Sequence, residues 1–175
     1  MKMYRILLIF LATVLFCSVA EALLDGNSEQ TVNVICKQTI DTTFCRSVFA
    51  KKLNTPSPSK KDLLNVTVAE AQRFSANTYF FISTLLRDAG DEKPRLQMCA
   101  EAYAIVNTAF TNAVSFFNQG IYNKILKLKD DVSTGVSICK TDFSVSGYKI
   151  NPMIKKNREA LVFTAMENII GQMAS

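Results

Sequence analysis

The sequence contains no histidine and no tryptophan, only four prolines, and six glycines scattered along its length. The missing histidine excludes Ser-His-Asp and Cys-His catalysis, imidazole metal ligation and the usual titration switch near neutral pH. No glycine-rich loop is present to cradle a phosphate. Convincing runs of alternating apolar and polar residues are missing too, which argues against strands. The carboxylates offer little chemistry. Asp91-Glu92 and Asp130-Asp131 are adjacent pairs, which diverge on a helix and read as solvated termini. No metal or cofactor is expected. Basic residues occur in separated groups (Lys51-Lys52, Lys60-Lys61, Lys124/Lys127/Lys129 and Lys155-Lys156/Arg158) within a formal charge of only +5, so a nucleic-acid partner is not expected. With 49% hydrophobic and 20% charged residues over 175 positions, the chain suits one domain with a sizeable core rather than a disordered polymer.

The N-terminus reads as a trafficking segment. Lys2 and Arg5 precede a 15-residue apolar stretch, Ile6 to Ala20, and Ala20-Glu21-Ala22 supplies small residues at −3 and −1. This is the pattern of a secretory signal peptide over residues 1–22, cut after Ala22. The stretch is shorter than the roughly 20 residues a membrane span needs, so no membrane association is expected after cleavage. Losing Lys2, Arg5 and Glu21 takes the formal charge from +5 to +4, and losing Cys17 leaves Cys36, Cys45, Cys99 and Cys139. An even number in an oxidising compartment implies two disulfides. Asn65-Val66-Thr67 is the single N-x-[ST] sequon, which makes Asn65 a candidate glycosylation site.

Residues 23–175 read as all-α. Ser28 is expected to cap a helix through about Lys37 and Asp41 another through about Lys51, giving a hairpin over 28–53. Two prolines make 54–59 a loop. The bundle, 61–175, opens with a helix from about Lys61 to Ala89, whose seam runs Leu64, Val68, Ala71, Ser75, Thr78, Ile82, Leu85, Ala89. After Gly90 and Pro94 comes the seam Leu96, Cys99, Tyr103, Val106, Phe110, Ala113, Phe117. Gly120 breaks it, and Ile121, Ile125, Leu128, Val132, Gly135, Cys139 resume it. Residues 141–150 look irregular. Asn151-Pro152 then reads as N-cap and N1 of a last helix that buries Leu161, Val162, Ala165, Met166, Ile169, Ile170 and Met173. Four long helices with brief connections favour an antiparallel up-down four-helix bundle preceded by a helical hairpin. Cys99 and Cys139 lie at nearly equal distances either side of Gly120 and both sit on the seam, so folding back at that glycine brings them together. Cys36 and Cys45 similarly flank the break near Asp41. The pairing is therefore Cys36–Cys45 and Cys99–Cys139. The larger loop's closure stabilises by about 3–4 kcal/mol through loss of unfolded-chain entropy.

One helix is unusual. No charged residue occurs between Glu101 and Lys124. Opposite the seam this helix carries Asn107, Thr108, Thr111, Asn112, Ser115 and Asn118, where an exposed bundle helix normally displays Lys and Glu. Loss of charge with retained hydrogen-bonding capacity matches a protein interface. The competing reading is internal packing against the last helix or the hairpin.

These features resemble a known family. Signal peptide, Cys36–Cys45 hairpin with an eight-residue spacer and stapled bundle are similar to plant invertase and pectin methylesterase inhibitors. The most telling runs are Val34-Ile-Cys-Lys-Gln-Thr-Ile-Asp-Thr-Thr-Phe-Cys45 and Tyr122 through Asp130-Asp131 to Cys139-Lys140-Thr141-Asp142-Phe143. The second run is especially similar to the plane-tree pollen allergen branch. The resemblance implies a non-catalytic, monomeric inhibitor of the cell wall, less so the vacuole, which blocks a carbohydrate-active enzyme as a 1:1 complex. Invertase inhibitors commonly carry Pro-Lys-Phe just after the turn, where this chain has Ile121-Tyr122-Asn123-Lys124. The family's pectin methylesterase inhibitors use helical faces, which agrees better with the uncharged face. Pectin methylesterase is thus the favoured partner and acid invertase (beta-fructofuranosidase) the alternative. From another class, a bundle rich in phenylalanine is suited to carrying an apolar ligand.

The signal-peptide reading has a direct check. Protein secreted by a eukaryotic host is expected to begin at Leu23 by N-terminal sequencing and to contain no free thiol. A mature chain that retains Met1 or Cys17 would remove the basis for the cysteine arithmetic.

Overall fold

Asp25 begins the ordered architecture. Its carboxylate accepts the Ser28 N–H (2.7 Å) and the Ser57 hydroxyl, while its own N–H donates to the Pro56 carbonyl (2.8 Å), tying the N-terminal lead to the proline loop. These bonds hold the Asp25 carboxyl below the usual range, the Ser57 bond contributing most. The computed structural model describes residues 24–145 and 151–175, with side chains through residue 140 and from 151 onward. The signal-peptide segment 1–22, with Cys17, and residues 146–150 lie outside the described residues.

Helix α1 spans Gly26–Lys37 and α2 spans Thr42–Lys52. The cap of α1 is Asp25, not Ser28, because the bonds to Ser57 and Pro56 hold Asp25 where its carboxylate meets the Ser28 amide. Asp41 caps α2 by accepting the Phe44 N–H at 3.0 Å. The Cys36–Cys45 disulfide clips the pair, with Cα atoms 5.5 Å apart. Helix α3, Lys60–Arg87, starts at a reciprocal capping box between Ser59 and Asp62. A 3-10 turn, Gly90–Glu92, leads to α4, Lys93–Asn118, with Pro94 in its first turn. Gly120, at φ +71°, closes α4. The Ile121 N–H reaches the Phe116 carbonyl (2.9 Å) and the Gly120 N–H the Phe117 carbonyl (3.0 Å), a Schellman pair requiring the left-handed residue that glycine supplies at least cost.

Beyond the turn the structure departs from the expected continuous helix. A short α5, Tyr122–Ile125, and a 3-10 stretch, Leu126–Leu128, precede α6, Lys129–Val145. The apolar spacing persists through the change of pitch, so periodicity alone did not reveal it; Ile125, Leu128 and Val132 are all buried. Helix α6 also runs five residues into the stretch expected to be irregular. The last helix, α7, is Ile154–Ala174. Asn151 does not cap it as expected. Its Oδ1 accepts the Met153 N–H at 2.8 Å and forms the preceding turn instead.

Around the bundle, α3 packs on α4, α4 on α6, α6 on α7 and α7 on α3. The diagonal pair α4 and α7 meets through long side chains: the Tyr103 hydroxyl donates to Asn157 Oδ1 (3.0 Å), and Phe110 faces Phe163 at 6.5 Å. The hairpin lies on the opposite side from α4, with α2 against α3 and α7 and α1 against α7. The α4 seam is buried along its whole length. On α3, Leu64 to Ile82 are buried, whereas Leu85 and Ala89 are half-buried at the open end.

Helices α4 and α6 approach closely. The Cys99–Cys139 bridge holds Cα atoms 4.5 Å apart. One turn away, a Cβ added to Gly135 would sit 2.7 Å from both the Ala102 carbonyl oxygen and Val106 Cγ2. The carbonyl belongs to α4's backbone and cannot rotate away. Gly135→Ala is expected to destabilise the fold by about 1–3 kcal/mol through overpacking. The urea unfolding midpoint measures it, and an unchanged midpoint would show that the helices separate freely.

Helix α7 departs most from its expected pattern. Val162, Met166 and Ile170 are buried, but Leu161, Ala165, Ile169 and Met173 are only half-buried, and Asn157, Glu159, Thr164 and Glu167 are buried in addition. With bundle helices, hairpin and α5 packed around it, its burial is no longer a single stripe. Glu159 is paired with Lys156 at 3.7 Å, whereas Glu167 Oε1 has no hydrogen-bond partner. Desolvation holds the Glu167 carboxyl well above the usual carboxylate range.

The linkage sign follows from a raised folded pKa. Stability from a neutral Glu167 is complete below its unfolded pKa, about 4.3, and falls as pH rises toward the folded value, by up to about 1.4 kcal/mol per pH unit. Asp25 and Asp62 have lowered pKa values and act oppositely, but only as the pH drops through the acidic range below about 4. Thermal unfolding between pH 4.5 and 7 is therefore expected to show Tm falling with pH, and Glu167→Gln to flatten the slope. An unaltered slope in the glutamine variant would assign the dependence elsewhere.

Candidate functional site

The uncharged surface of α4 follows from the bundle's order. Since α4 is diagonal to α7 and remote from the hairpin, no helix among the described residues covers the side opposite its seam. Thr108, Thr111, Asn112, Ser115 and Asn118 are exposed there, and Asn107 is half-buried. Internal packing against α7 or the hairpin is therefore not what removed the charges.

Neighbouring groups use part of the face's hydrogen-bonding capacity. Asn107 Oδ1 accepts the Ser75 hydroxyl at 2.8 Å, so Asn107 fastens α4 to α3 and contributes less to the free surface. The Thr108 hydroxyl donates to the Ala104 carbonyl (2.9 Å), Gln119 Nε2 donates to Ser115 Oγ (3.0 Å), and Gln72 Nε2 reaches Thr111 Oγ1 at 3.5 Å. The Thr111 and Ser115 hydroxyl oxygens each retain hydrogen-bonding capacity toward a partner. Few titratable groups lie nearby: Glu101 bounds the face at one end, and Lys124, 5.3 Å over the Phe116 ring, at the other.

Sequence reasoning missed several exposed apolar groups on α4 and the helices beside it. Met98 and Ile105 on α4, Tyr79 and Phe80 on α3, and Ile138 on α6 are exposed large side chains. Phe80 is the most open, at 69% exposure. A signal existed, since Phe80 lies two residues from both Thr78 and Ile82 and so points away from the α3 seam. Large apolar groups beside uncharged polar ones are the usual make-up of an interface core.

The turn after α4 is built differently. Ile121 and Tyr122 are half-buried, with the Tyr122 ring 5.8 Å from Phe117, while Asn123 and Lys124 are exposed. Asn65 is exposed near the start of α3, but Thr67 of the same sequon is buried and donates to the Leu63 carbonyl (2.8 Å). The Ser75–Asn107 and Gln72–Thr111 contacts fix the antiparallel register. Asn65 precedes Gln72 by seven residues and Asn118 follows Thr111 by seven, so both stand at the same height.

Among the described residues there is no group of three or more His, Cys, Asp or Glu placed to hold a metal ion, and no helix long and apolar enough to cross a membrane. The α4 face brings together no nucleophile and base.

No curated protein matches the chain significantly. The family model described as plant invertase/pectin methylesterase inhibitor matches residues 30–175, from within α1 to the last residue. That match takes in both disulfides, all four bundle helices and the uncharged face. The chain belongs to the plant invertase/pectin methylesterase inhibitor family, a family of inhibitors rather than enzymes.

Proposed function

We propose that this protein is a secreted inhibitor of the plant cell wall that binds pectin methylesterase through the outer face of α4, one inhibitor to one enzyme. The observation that carries the reading is the charge-free stretch between Glu101 and Lys124 on a helix whose outer side is uncovered. A solvated helix gains nothing from losing its charges, whereas an interface avoids desolvating them. Thr108, Thr111, Asn112, Ser115 and Asn118 form the polar part of the contact, with Asn107 at its buried edge. Bound there, the inhibitor blocks the enzyme by occupying surface and undergoes no chemistry itself.

Acid invertase is the second reading, supported by the exposed Lys124 after the α4 turn. The surroundings support it less. The chain lacks the Pro-Lys-Phe run, and Tyr122 packs inward against Phe117.

Titration of the purified protein into pectin methylesterase and into acid invertase, following residual activity, separates the two. Inhibition of pectin methylesterase is expected, weakened at least ~10-fold by Thr111→Lys or Ser115→Glu, because each buries an unpaired charge. Tm should move by no more than a few degrees, since both sites are exposed. Inhibition of invertase alone, or undiminished inhibition by stable charged variants, would refute the assignment.

A further inference from the structure

A second feature lies on the side of the molecule away from α4. Between α2, α3 and α7 there is a surface cleft of about 250 Å³. Its floor is apolar. Phe44 from α2 meets Phe163 from α7 edge-on at 5.4 Å, Phe74 from α3 meets Phe163 at the same distance with the planes tilted by 43°, and Val48 completes the wall. The rim is cationic. Lys51, Lys52 and Arg73 border the opening against one carboxylate, Glu70. Lys52 and Arg73 both reach Glu70 Oε1 at 3.3 Å, whereas no carboxylate among the described residues lies within ion-pair distance of Lys51. Lys156 lies 5.3 Å over the Phe74 ring and is paired with Glu159 at 3.7 Å.

We propose that this cleft binds a small aromatic carboxylate, with its ring among Phe44, Phe74 and Phe163 and its carboxylate at Lys51. Three phenylalanines already in edge-to-face and tilted contact offer a guest ring the geometry aromatic pairs prefer. The volume suffices for one ring with a short acid chain. An excess of two positive charges at the mouth selects an anion over its neutral isostere. A sugar acid is a poorer match, since its several hydroxyls need partners, and besides the charged rim the cleft offers only Asn77 and Ser47. Ser47 at the edge already donates its hydroxyl to the Phe44 carbonyl at 2.7 Å. Because the walls come from both hairpin and bundle, an occupant fastens α2 to α3 and α7. Since α4 contributes nothing to the cleft, the site is independent of the contact face proposed above.

Calorimetric titration of the purified protein with phenylacetate, phenylacetamide and D-galacturonate tests the site. Saturable phenylacetate binding is expected, with a dissociation constant of about 0.1–1 mM for a ligand of this size. The amide and the sugar acid are expected to bind at least ~10-fold more weakly. Lys51→Glu, at an exposed position, should abolish phenylacetate binding with the helical circular dichroism unchanged, and Ser47→Phe should do so by filling the cleft. Equal binding of acid and amide, tighter binding of galacturonate, or undiminished binding by folded Lys51→Glu would each overturn the proposal.

Discussion

The close approach of α4 and α6 sets the rest of the structure. At Gly135 the two backbones come nearer than any side chain would permit, and within the same contact Cys99 and Cys139 are bridged. With the Schellman turn at Gly120, this fixes the height and facing of the two middle helices before the outer pair is placed. The remaining helices then fill the square. α3 packs beside α4 and α7 beside α6, so α4 and α7 become diagonal partners and the hairpin closes over the α3–α7 edge. Everything that covers the bundle is thereby drawn to α7's side.

The same geometry leaves the outer side of α4 from Thr108 to Asn118 without a neighbouring helix among the described residues, and that stretch carries no charge. Solubility rests on charged residues elsewhere, including those of the hairpin and the groups around α7, within a formal charge of +5. The proposed contact surface combines hydroxyls and amides with exposed Ile105 and Met98, and Tyr79 and Phe80 stand on the adjacent helix. No residue from Thr108 to Asn118 titrates between pH 5 and 7, so any inhibitor-side response to acidity in that interval acts through the fold. Glu167 is the group placed to supply it, being buried, unpaired at Oε1 and held neutral by desolvation. Mildly acidic conditions thus favour the folded protein without altering the surface it presents.

Much of this was readable from the residues. The α4 seam from Leu96 to Phe117 repeats at helical spacing and is buried throughout, because that helix packs along one side. The near-equal distances of Cys99 and Cys139 from Gly120 pointed to the bridge, because a reversal at a glycine leaves little choice of partner. What failed did so where local signals compete or tertiary context decides. Asp25 and Ser28 are both good caps, and only the fold, with Ser57 and Pro56 alongside, selects Asp25. The change of pitch at Leu126–Leu128 preserves apolar spacing and leaves no trace in it. Glu167, between Met166 and Asn168, looks like an ordinary surface glutamate; its burial follows from α7 being enclosed on several sides, which no window of sequence encodes. The uncharged face was legible by its missing charges, but the exposed Phe80 and Ile105 were not singled out in the sequence.

The central claim is that the outer side of α4, and not the turn after it, meets the target enzyme. Hydrogen–deuterium exchange of the purified protein, free and saturated with pectin methylesterase, tests it most directly. The account predicts slowed exchange in peptides covering residues 104–119 and in the adjoining part of α3, with little change in the hairpin. Protection confined to residues 121–124, or to the hairpin over 26–52, would contradict it.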